Sequence, residues 1–281
     1  MTSDSGSSDS ATSDSASSDY TALLDLAVAT ARETGRMLID KRPAGGPDVV
    51  ATKSSATDVV TQMDQAAERL IRERIGAARP GDAFLGEEEG VTSGTTGVRW
   101  VVDPIDGTVN YLYDLPDWAV SIAAEVAGRP VAAVVEVPRR GWTFTATLGG
   151  GAHLNGERVR CSTDVPLGRA LVATGFGYAP ERRAAQARVL AGVLPNVRDI
   201  RRNGAAAIDL CMVAAGRVDG YYERGVQAWD IAAGRLLVTE AGGRVEGLGG
   251  VPAGNELTIA AGADLFGPLH DLLAPLDPAR D

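Results

Sequence analysis

Apolar residues recur at helical spacing in two stretches near the start of the chain. The first predicts a helix over residues 20–41, which the following Pro and Gly residues end. The second predicts a helix that starts near Thr61. The apolar positions are Leu23, Leu24, Ala27, Ala31 and Leu38 in the first stretch, and Ala66, Ala67, Leu70, Ile71 and Ile75 in the second.

The residues ahead of the first helix have a different composition. Residues 1–19 are almost wholly Ser, Asp, Thr, Ala and Gly. Such a segment cannot bury enough apolar surface to offset the entropy lost on ordering it. We therefore predict a disordered tail over residues 1–19, followed by one folded unit over residues 20–281.

Shorter apolar runs bounded by turn residues predict strands in the middle of the chain. One run covers residues 83–86, and three more, at 118–127, 131–137 and 142–148, are separated by Gly and Pro residues. This pattern predicts antiparallel strands joined by turns. Asn155-Gly156 adds the sequence signal of a two-residue hairpin.

From about Cys161 the chain alternates predicted strands and helices. Strands are predicted near 170–175, 197–201, 218–222 and 244–261, and helices near 181–194, 204–214, 229–241 and 263–275. The two halves, about 20–160 and 161–281, have no internal repeat. We therefore predict a mixed α/β fold of layered helices and sheets, not a regular doubly wound sheet.

One stretch joins an apolar strand to candidate chemistry. Trp100–Tyr111 reads Trp-Val-Val-Asp-Pro-Ile-Asp-Gly-Thr-Val-Asn-Tyr. The strand is predicted to end at Asp103, because Pro104 cannot donate a ladder hydrogen bond. A short helix is predicted to start near Gly107, where backbone N–H groups would point at an anion. Asp103 and Asp106, three residues apart on a bend, suit a hard divalent cation such as Mg²⁺, and a plain Asp-Gly turn is the simpler alternative.

Composition and charge narrow the class of function. The 281 residues are 44% hydrophobic and 23% charged, which is typical of a globular protein, and the net charge of −10 argues against nucleic acid as the main ligand. No apolar run reaches the length of a membrane span, and residues 1–19 lack the features of a secretory signal, so we expect a cytoplasmic protein. The two cysteines and two histidines form no zinc or Ser-His-Asp pattern. Any metal must therefore be held by carboxylates.

Five acids stand at predicted strand ends or helix starts, namely Asp64, Glu87, Asp103, Asp106 and Asp230. The chain also has four short motifs, which contain all of these acids except Asp64: Gly86-Glu87-Glu88, the Asp-Pro-Ile-Asp-Gly-Thr core of Trp100–Thr108, Arg201-Arg-Asn-Gly-Ala-Ala and Trp229-Asp230-Ile-Ala-Ala-Gly. With these acids and motifs the chain resembles the inositol monophosphatase family over about residues 20–275. Lys53 resembles the family's mobile-loop lysine, whereas Ala205 lacks the hydroxyl that the family's animal members carry at that position.

The resemblance implies an α-β-α-β-α five-layer sandwich of the inositol monophosphatase/fructose bisphosphatase type, with a Mg²⁺-dependent site between the layers. Carried over by position, one Mg²⁺ is held by Glu87, Asp103 and the backbone carbonyl of Ile105. A second is held by Asp103, Asp106 and Asp230. A weaker third ion is assisted by Asp64 and Glu87.

The same resemblance implies a role for each remaining site residue. Thr108 and Asp64 orient and deprotonate the attacking water, with Glu87 the third catalytic residue. The N–H groups of Gly107 and Thr108 bind the phosphate. The residues implied to contact the substrate are Asp106, Gly107, Thr108, Ala206, Glu223 and Asp230.

The implied activity is hydrolysis of myo-inositol monophosphate to myo-inositol and phosphate by metal-activated water. The resemblance also implies inhibition by Li⁺ and a homodimer, for which the apolar strands between Trp118 and Leu148 offer a shared face.

Other functions compete with this one. The haloacid dehalogenase motif Asp-x-Asp-Gly-Thr is similar, but two residues separate Asp103 from Asp106 where that motif has one. Within the phosphatase class, fructose 1,6-bisphosphate, histidinol phosphate and nucleotide 3′-phosphates are alternative substrates. A family fold with an additional non-catalytic binding role is a further alternative.

Overall fold

The computed structural model describes residues 8–52 and 59–280. Within these ranges the helices are α1 (Ser8–Asp40), α2 (Gln62–Ala78), α3 (Thr108–Leu112), α4 (Pro180–Val193), α5 (Ala206–Ala214), α6 (Ala228–Glu240) and α7 (Ala263–Leu273). The strands are β1 (Val49–Thr52), β2 (Val59–Thr61), β3 (Ala83–Gly86), β4 (Gly90–Thr92), β5 (Val98–Asp106), β6 (Ala119–Val126), β7 (Arg129–Val137), β8 (Trp142–Thr147), β9 (Gly151–Leu154), β10 (Glu157–Val159), β11 (Leu171–Thr174), β12 (Asp199–Arg201), β13 (Gly220–Glu223), β14 (Gly243–Glu246) and β15 (Thr258–Gly262).

Two large sheets form the frame of the fold. The first has eight strands in the order β10-β9-β8-β7-β6-β5-β3-β4, with β3 and β5 parallel and the other neighbours antiparallel. The second has five strands in the order β12-β11-β13-β15-β14, with β11 parallel to both of its neighbours. β1 and β2 form a separate antiparallel pair.

The helices occupy three layers around these sheets. α1 and α2 cover one face of the first sheet, α5 and α6 lie between the two sheets, and α4 and α7 cover the far side of the second. This arrangement confirms the predicted α-β-α-β-α sandwich. Along β5, Trp100 and Val102 pack in the core beside α1 and α2, whereas Val101 packs in the core beside α6. Because helices cover both faces, β5 is a nearly continuous apolar run.

The strands predicted to form a dimer face are buried within the chain itself. β6, β7 and β8 contact α1 on one side and α6 on the other. Val120, Val134 and Phe144, one from each strand, are fully buried. The apolar strands between Trp118 and Leu148 therefore form part of the core of this chain. They do not offer the shared dimer face that the sequence analysis expected of them.

The first helix begins earlier than the composition predicts. α1 starts at Ser8 instead of Tyr20 and so includes much of the predicted disordered tail; residues 1–7 lie outside the described residues. A helix that is already nucleated extends at little cost per residue, which explains the early start. Neither α1 nor any other helix of the described ranges is long and apolar enough to cross a membrane.

β5 does not end at Asp103, which corrects the sequence prediction. The strand continues to Asp106, and its pairing with β6 shifts between Asp103, which pairs with Ser121, and Asp106, which pairs with Ala119. One extra residue on β5 makes this a bulge, a place where a strand accepts proline. Pro104 therefore bends the strand without ending it, and both aspartates stay on the sheet.

The packing of α5 against α6 predicts opposite effects of the same substitution in two helices. A Cβ at Gly234 in α6 would lie 2.5 Å from Cδ1 and 2.6 Å from Cβ of the buried Leu210, whereas one at Gly76 in α2 meets nothing within 4 Å. We expect Gly234→Ala to lower the free energy of unfolding by about 1–2 kcal/mol through overpacking. Gly76→Ala should raise it by about 0.5–1 kcal/mol because alanine favours a helix. Urea unfolding measures both, and equal effects would contradict the packing described.

Candidate active site

The start of α2 places Asp64 through a capping box. The Thr61 hydroxyl accepts hydrogen bonds from the N–H groups of Met63 and Asp64, and Asp64 Oδ2 accepts from the Thr61 N–H at 2.8 Å and hydroxyl at 2.6 Å. This reciprocal cap fixes the carboxylate in the first turn. Asp64 Oδ1 then lies 3.2 Å from Thr108 Oγ1. Burial raises the pKa of Asp64 to about 6.

The β5 bulge and the turn after it place the next group of site residues. Asp103 Oδ1 accepts a hydrogen bond from the Ile105 N–H at 3.0 Å, which closes the bulge. Gly107 has φ 89°, and a Cβ there would lie 3.0 Å from the Asp117 carbonyl oxygen, so the turn requires glycine. α3 starts at the next residue, as predicted, and the Thr108 hydroxyl lies 3.1 Å from the Ile105 carbonyl oxygen.

Asp106 reaches from the first sheet to the start of α5. Its carboxylate accepts hydrogen bonds from the N–H groups of Ala206 at 3.2 Å and Ala207 at 2.6 Å. Ala205, the residue before the helix, has no side-chain cap. Asp106 therefore accepts hydrogen bonds from the first N–H groups of α5, which a hydroxyl side chain at position 205 would otherwise cap. Ala206 is one of the residues predicted to contact the substrate, and its N–H donates to Asp106 in this structure.

Asp230 and Glu223 come from the second half of the chain. Asp230 lies in the first turn of α6 and accepts a hydrogen bond from the Gln227 N–H at 2.6 Å. Glu223 ends β13 and accepts a hydrogen bond from the Tyr221 hydroxyl at 2.9 Å. A Cβ at Gly175 would overlap the Glu223 carboxylate, so glycine leaves the space that this side chain occupies.

These elements enclose a cavity of about 390 Å³. Nine of the ten predicted site residues line it, namely Glu87, Asp103, Ile105, Asp106, Gly107, Thr108, Ala206, Glu223 and Asp230. Asp64 does not line the cavity and reaches it through Thr108. Lys53 lies outside the described residues.

Some cavity residues were given no role by sequence reasoning. Arg182, Arg202 and Arg224 line the same cavity, as do Tyr178 and Gln227. Arg202 lies within a quoted motif and Arg224 follows the predicted Glu223, and those positions were the available signal. Arg182 lies in a helix far from any motif, so the sequence offered no sign of its position.

The buried acids raise one another's pKa. For Asp103 and Asp230, burial is the largest cause, and the charges of Glu87 and Asp106 add to it, so both pKa values lie well above the ordinary range. Burial also raises the pKa of Asp106 to about 7 and that of Glu223 to about 7. Carboxylates held this close in a buried site favour a bound cation or a shared proton.

The donor set fits a hard divalent cation. The lining offers carboxylate and carbonyl oxygens with no His or Cys among them, which is the chemistry that Mg²⁺ prefers. As placed, however, no group of three or more His, Cys, Asp or Glu side chains in residues 8–52 and 59–280 is arranged to hold a metal ion. Several carboxylate oxygens instead bond to backbone N–H groups. A metal ion held by these acids would therefore require their side chains to rotate within the cavity.

A family model, curated relatives and solved structures all relate this chain to one family. The model of the inositol monophosphatase family matches residues 19–275. An inositol-1-monophosphatase of Mycobacterium bovis is 52% identical over 214 residues, 73% of each chain. The Nus factor SuhB of Escherichia coli is 43% identical over 251 residues, 85% of this chain and 93% of that protein. The solved structure of inositol monophosphatase from Anabaena (Nostoc) has a TM-score of 0.81 and 30% identity, covering 92% of this chain and 98% of its own.

The raised pKa values predict that the metal-free protein loses stability as the pH rises. In the unfolded chain the carboxyls of Asp64, Asp106 and Glu223 have ordinary pKa values of 3.8 to 4.5, against about 6 to 7 when folded. Between these values the folded state binds more protons, so the free energy of unfolding falls with rising pH. We expect these three carboxyls together to produce a fall on the order of 5 kcal/mol between pH 5 and 7, measured by urea unfolding in the presence of a chelator.

Glu223→Gln is the matched control for this pH dependence. It removes one titrating group with little change of shape, so the fall should become shallower. A free energy of unfolding that is constant or rises over this range would contradict the prediction.

Proposed function

The chain belongs to the inositol monophosphatase family, and on that basis we propose that it is a Mg²⁺-dependent phosphomonoesterase that hydrolyses myo-inositol monophosphate to myo-inositol and phosphate. The observation that carries the proposal is the cavity in which Glu87, Asp103, Asp106 and Asp230 meet Thr108 at the end of β5. Acids from both halves of the chain surround the position where a phosphate ester would enter.

The metal ligands in this proposal are the buried acids. Glu87, Asp103 and the Ile105 carbonyl would hold one Mg²⁺, and Asp103, Asp106 and Asp230 a second, with Asp64 and Glu87 assisting a third. Bound Mg²⁺ supplies charge neutralisation for the phosphate and lowers the pKa of water. The side-chain carboxylates provide the negative charge that attracts and retains these cations.

Thr108 and Asp64 are proposed to handle the proton of the attacking water. The Thr108 hydroxyl has one proton and two acceptors, Asp64 Oδ1 and the Ile105 carbonyl. When the hydroxyl donates to Asp64, its oxygen can accept a proton from water in the cavity. An Asp64 with a pKa of about 6 is mostly ionised at neutral pH and still basic enough to take that proton.

The turn at Gly107 is proposed to bind the phosphate through the N–H groups of Gly107 and Thr108. The glycine lets the backbone approach an anion closely, since no Cβ stands in the way. These two N–H groups orient any phosphate monoester and do not select the alcohol. Positioning and charge neutralisation are sufficient for phosphoryl transfer without a covalent intermediate.

Glu223 is proposed to select the substrate alcohol. It lines the cavity, is held by the Tyr221 hydroxyl, and belongs to the second half of the chain, away from the β5 turn. A carboxylate accepts hydrogen bonds from ring hydroxyls. Asp106, Asp230 and the backbone at Ala206 are proposed to complete the substrate contacts.

The family membership also supports three further parts of this proposal. We propose that the protein forms a homodimer, is located in the cytoplasm and is inhibited by Li⁺.

A second candidate function comes from one relative. The Escherichia coli protein that is 43% identical is named a Nus factor, so an additional non-catalytic role is proposed for this chain beside its phosphatase activity. The net charge of −10 favours a protein over a nucleic acid as the partner. A catalytically inactive variant that keeps such a partner would separate the two roles.

Replacement of Asp103 tests the proposed metal site. Asp103→Asn removes a charge shared between the two proposed cations, so phosphate release at saturating Mg²⁺ should fall by at least about 1,000-fold. The substitution also removes a buried charge, so circular dichroism should remain that of a folded protein. Activity within tenfold of the wild type would contradict the assignment.

Replacement of Glu223 tests the proposed substrate. Hydrogen bonds from hydroxyls to a carboxylate are typically worth about 1.5–3 kcal/mol each. Glu223→Gln should therefore lower kcat/KM for myo-inositol 1-phosphate by roughly ten- to a hundredfold. Hydrolysis of glycerol 2-phosphate, which lacks the ring, should change much less.

Two outcomes would contradict the substrate assignment. An equal loss of kcat/KM for both esters would mean that Glu223 supports the metal site or the fold instead of selecting the alcohol. Equal wild-type rates on myo-inositol 1-phosphate and fructose 1,6-bisphosphate would mean that the cavity does not select inositol.

A further inference from the structure

A buried acid outside the cavity contacts the loop that carries Glu87. Glu68 lies in α2, one helical turn after Asp64, and its side chain is 0% exposed. Its carboxylate accepts hydrogen bonds from the N–H of Glu88 at 2.7 Å and from the N–H of Glu89 at 3.0 Å. Both donors belong to the loop between β3 and β4, whose first residue is Glu87.

The backbone of this loop lies outside the pairing of the two strands. β3 and β4 pair from Gly86 to Gly90, so Glu87, Glu88 and Glu89 form a three-residue hairpin loop, and Gly90 has φ 67° as such loops require. Within such a tight loop the N–H groups of Glu88 and Glu89 point away from the strand ladder. The two oxygens of Glu68 therefore fix the orientation of the loop from outside the hairpin.

Arg72 completes this contact. It lies one turn after Glu68 in α2 and pairs with Glu68 Oε1 at 2.9 Å. The same guanidinium donates to the Gly90 carbonyl oxygen at 2.6 Å and to Thr92 Oγ1 at 3.1 Å. Arg72 thus offsets the negative charge of the buried Glu68 carboxylate, which faces the acidic loop. Through its bonds to Gly90 and Thr92 it also connects β4 to α2.

Gly86 shows how closely the loop and the helix approach. A Cβ at Gly86 would overlap the Glu68 carboxylate. The residue just before Glu87 therefore has no side chain because Glu68 occupies that space. Two charged side chains, Glu68 and Arg72, and a glycine therefore place this one short loop, an arrangement that a solvated loop would not need.

We propose that Glu68 is a positioning residue for metal binding, because with Arg72 it holds the β3–β4 loop so that Glu87 faces the cavity. Since α2 also carries Asp64, one rigid helix sets the separation between Asp64 and Glu87. The inference rests on the proposed function only for the identity of the cation. Groups that orient a metal ligand commonly change metal affinity or activity by roughly 10–100-fold when they are replaced.

Glu68→Gln is the direct test. The glutamine keeps the shape and one acceptor oxygen, but its NH₂ group would face a loop N–H that needs an acceptor. We expect calorimetric titration of the substrate-free protein with Mg²⁺ to give an affinity lowered by roughly tenfold or more. The Mg²⁺ concentration for half-maximal phosphate release should rise in parallel, while kcat at saturating Mg²⁺ stays within about threefold.

Asp82→Asn is the matched control. Asp82 is also a buried carboxylate and precedes the other end of β3, where it accepts hydrogen bonds from Trp100 Nε1 at 2.9 Å and Arg79 Nε at 2.7 Å. It should lose stability as Glu68→Gln does and keep the wild-type Mg²⁺ affinity. Equal losses of affinity in the two variants, or a wild-type affinity in Glu68→Gln, would overturn the proposal.

A double substitution tests the route of the effect. In a Glu87→Gln background, Glu68→Gln should shift the remaining Mg²⁺ affinity by less than about twofold, because the carboxylate that it positions is already gone. An additional tenfold loss would overturn the proposal. If Glu68→Gln does not fold, Arg72→Gln loosens the same loop, and an unchanged Mg²⁺ affinity in that variant would be equally decisive against it.

The two proposals fail in different ways. A wild-type protein that binds Mg²⁺ but releases no phosphate from any ester would contradict the proposed function and leave the role of Glu68 intact. A wild-type enzyme with normal Mg²⁺-dependent activity, whose Glu68→Gln variant binds Mg²⁺ equally well, would contradict only the role of Glu68.

Discussion

The burial of several like charges in one cavity is the constraint on which the rest of the structure depends. Glu87, Asp103, Asp106 and Asp230 line a common space, and burial together with mutual repulsion raises the pKa values of the three aspartates. Without a compensating charge such a group opposes folding. The fold must therefore hold these side chains in place by interactions elsewhere, and a cation relieves the repulsion once it binds.

Backbone N–H groups provide much of that restraint. Asp64 and Asp230 cap the helices that carry them, Asp103 closes its own bulge, and Asp106 caps α5 from the neighbouring sheet. Each contact stabilises a carboxylate and at the same time satisfies a donor that a helix end or bulge would leave unpaired. Each of these carboxylates thus has a hydrogen-bond partner within the protein itself.

The layered architecture brings these contacts together. The first sheet delivers Asp103 and Asp106, the middle helices deliver Asp230, and the second sheet delivers Glu223, so the cavity exists only when both sheets and the helices between them are assembled. α2 serves the site twice, through Asp64 at its start and through Glu68 one turn later. The loop that carries Glu87 is therefore tied to the outer helix layer as well as to the sheet.

The sequence by itself determined most helices and strands, because hydrophobic period and turn residues are local properties of the chain. The five-layer class and the candidate acids followed from the family that the quoted motifs resemble. It did not show that β5 continues past Pro104, that residues 118–148 are covered on both faces, or that Glu68 holds the loop of Glu87. Asp106 bonds to Ala207 across 101 residues of sequence. Which distant groups become hydrogen-bond partners depends on how the sheets and helices pack. A buried polar group without a partner is costly, so packing that supplies one is favoured, and no local sequence pattern encodes that packing.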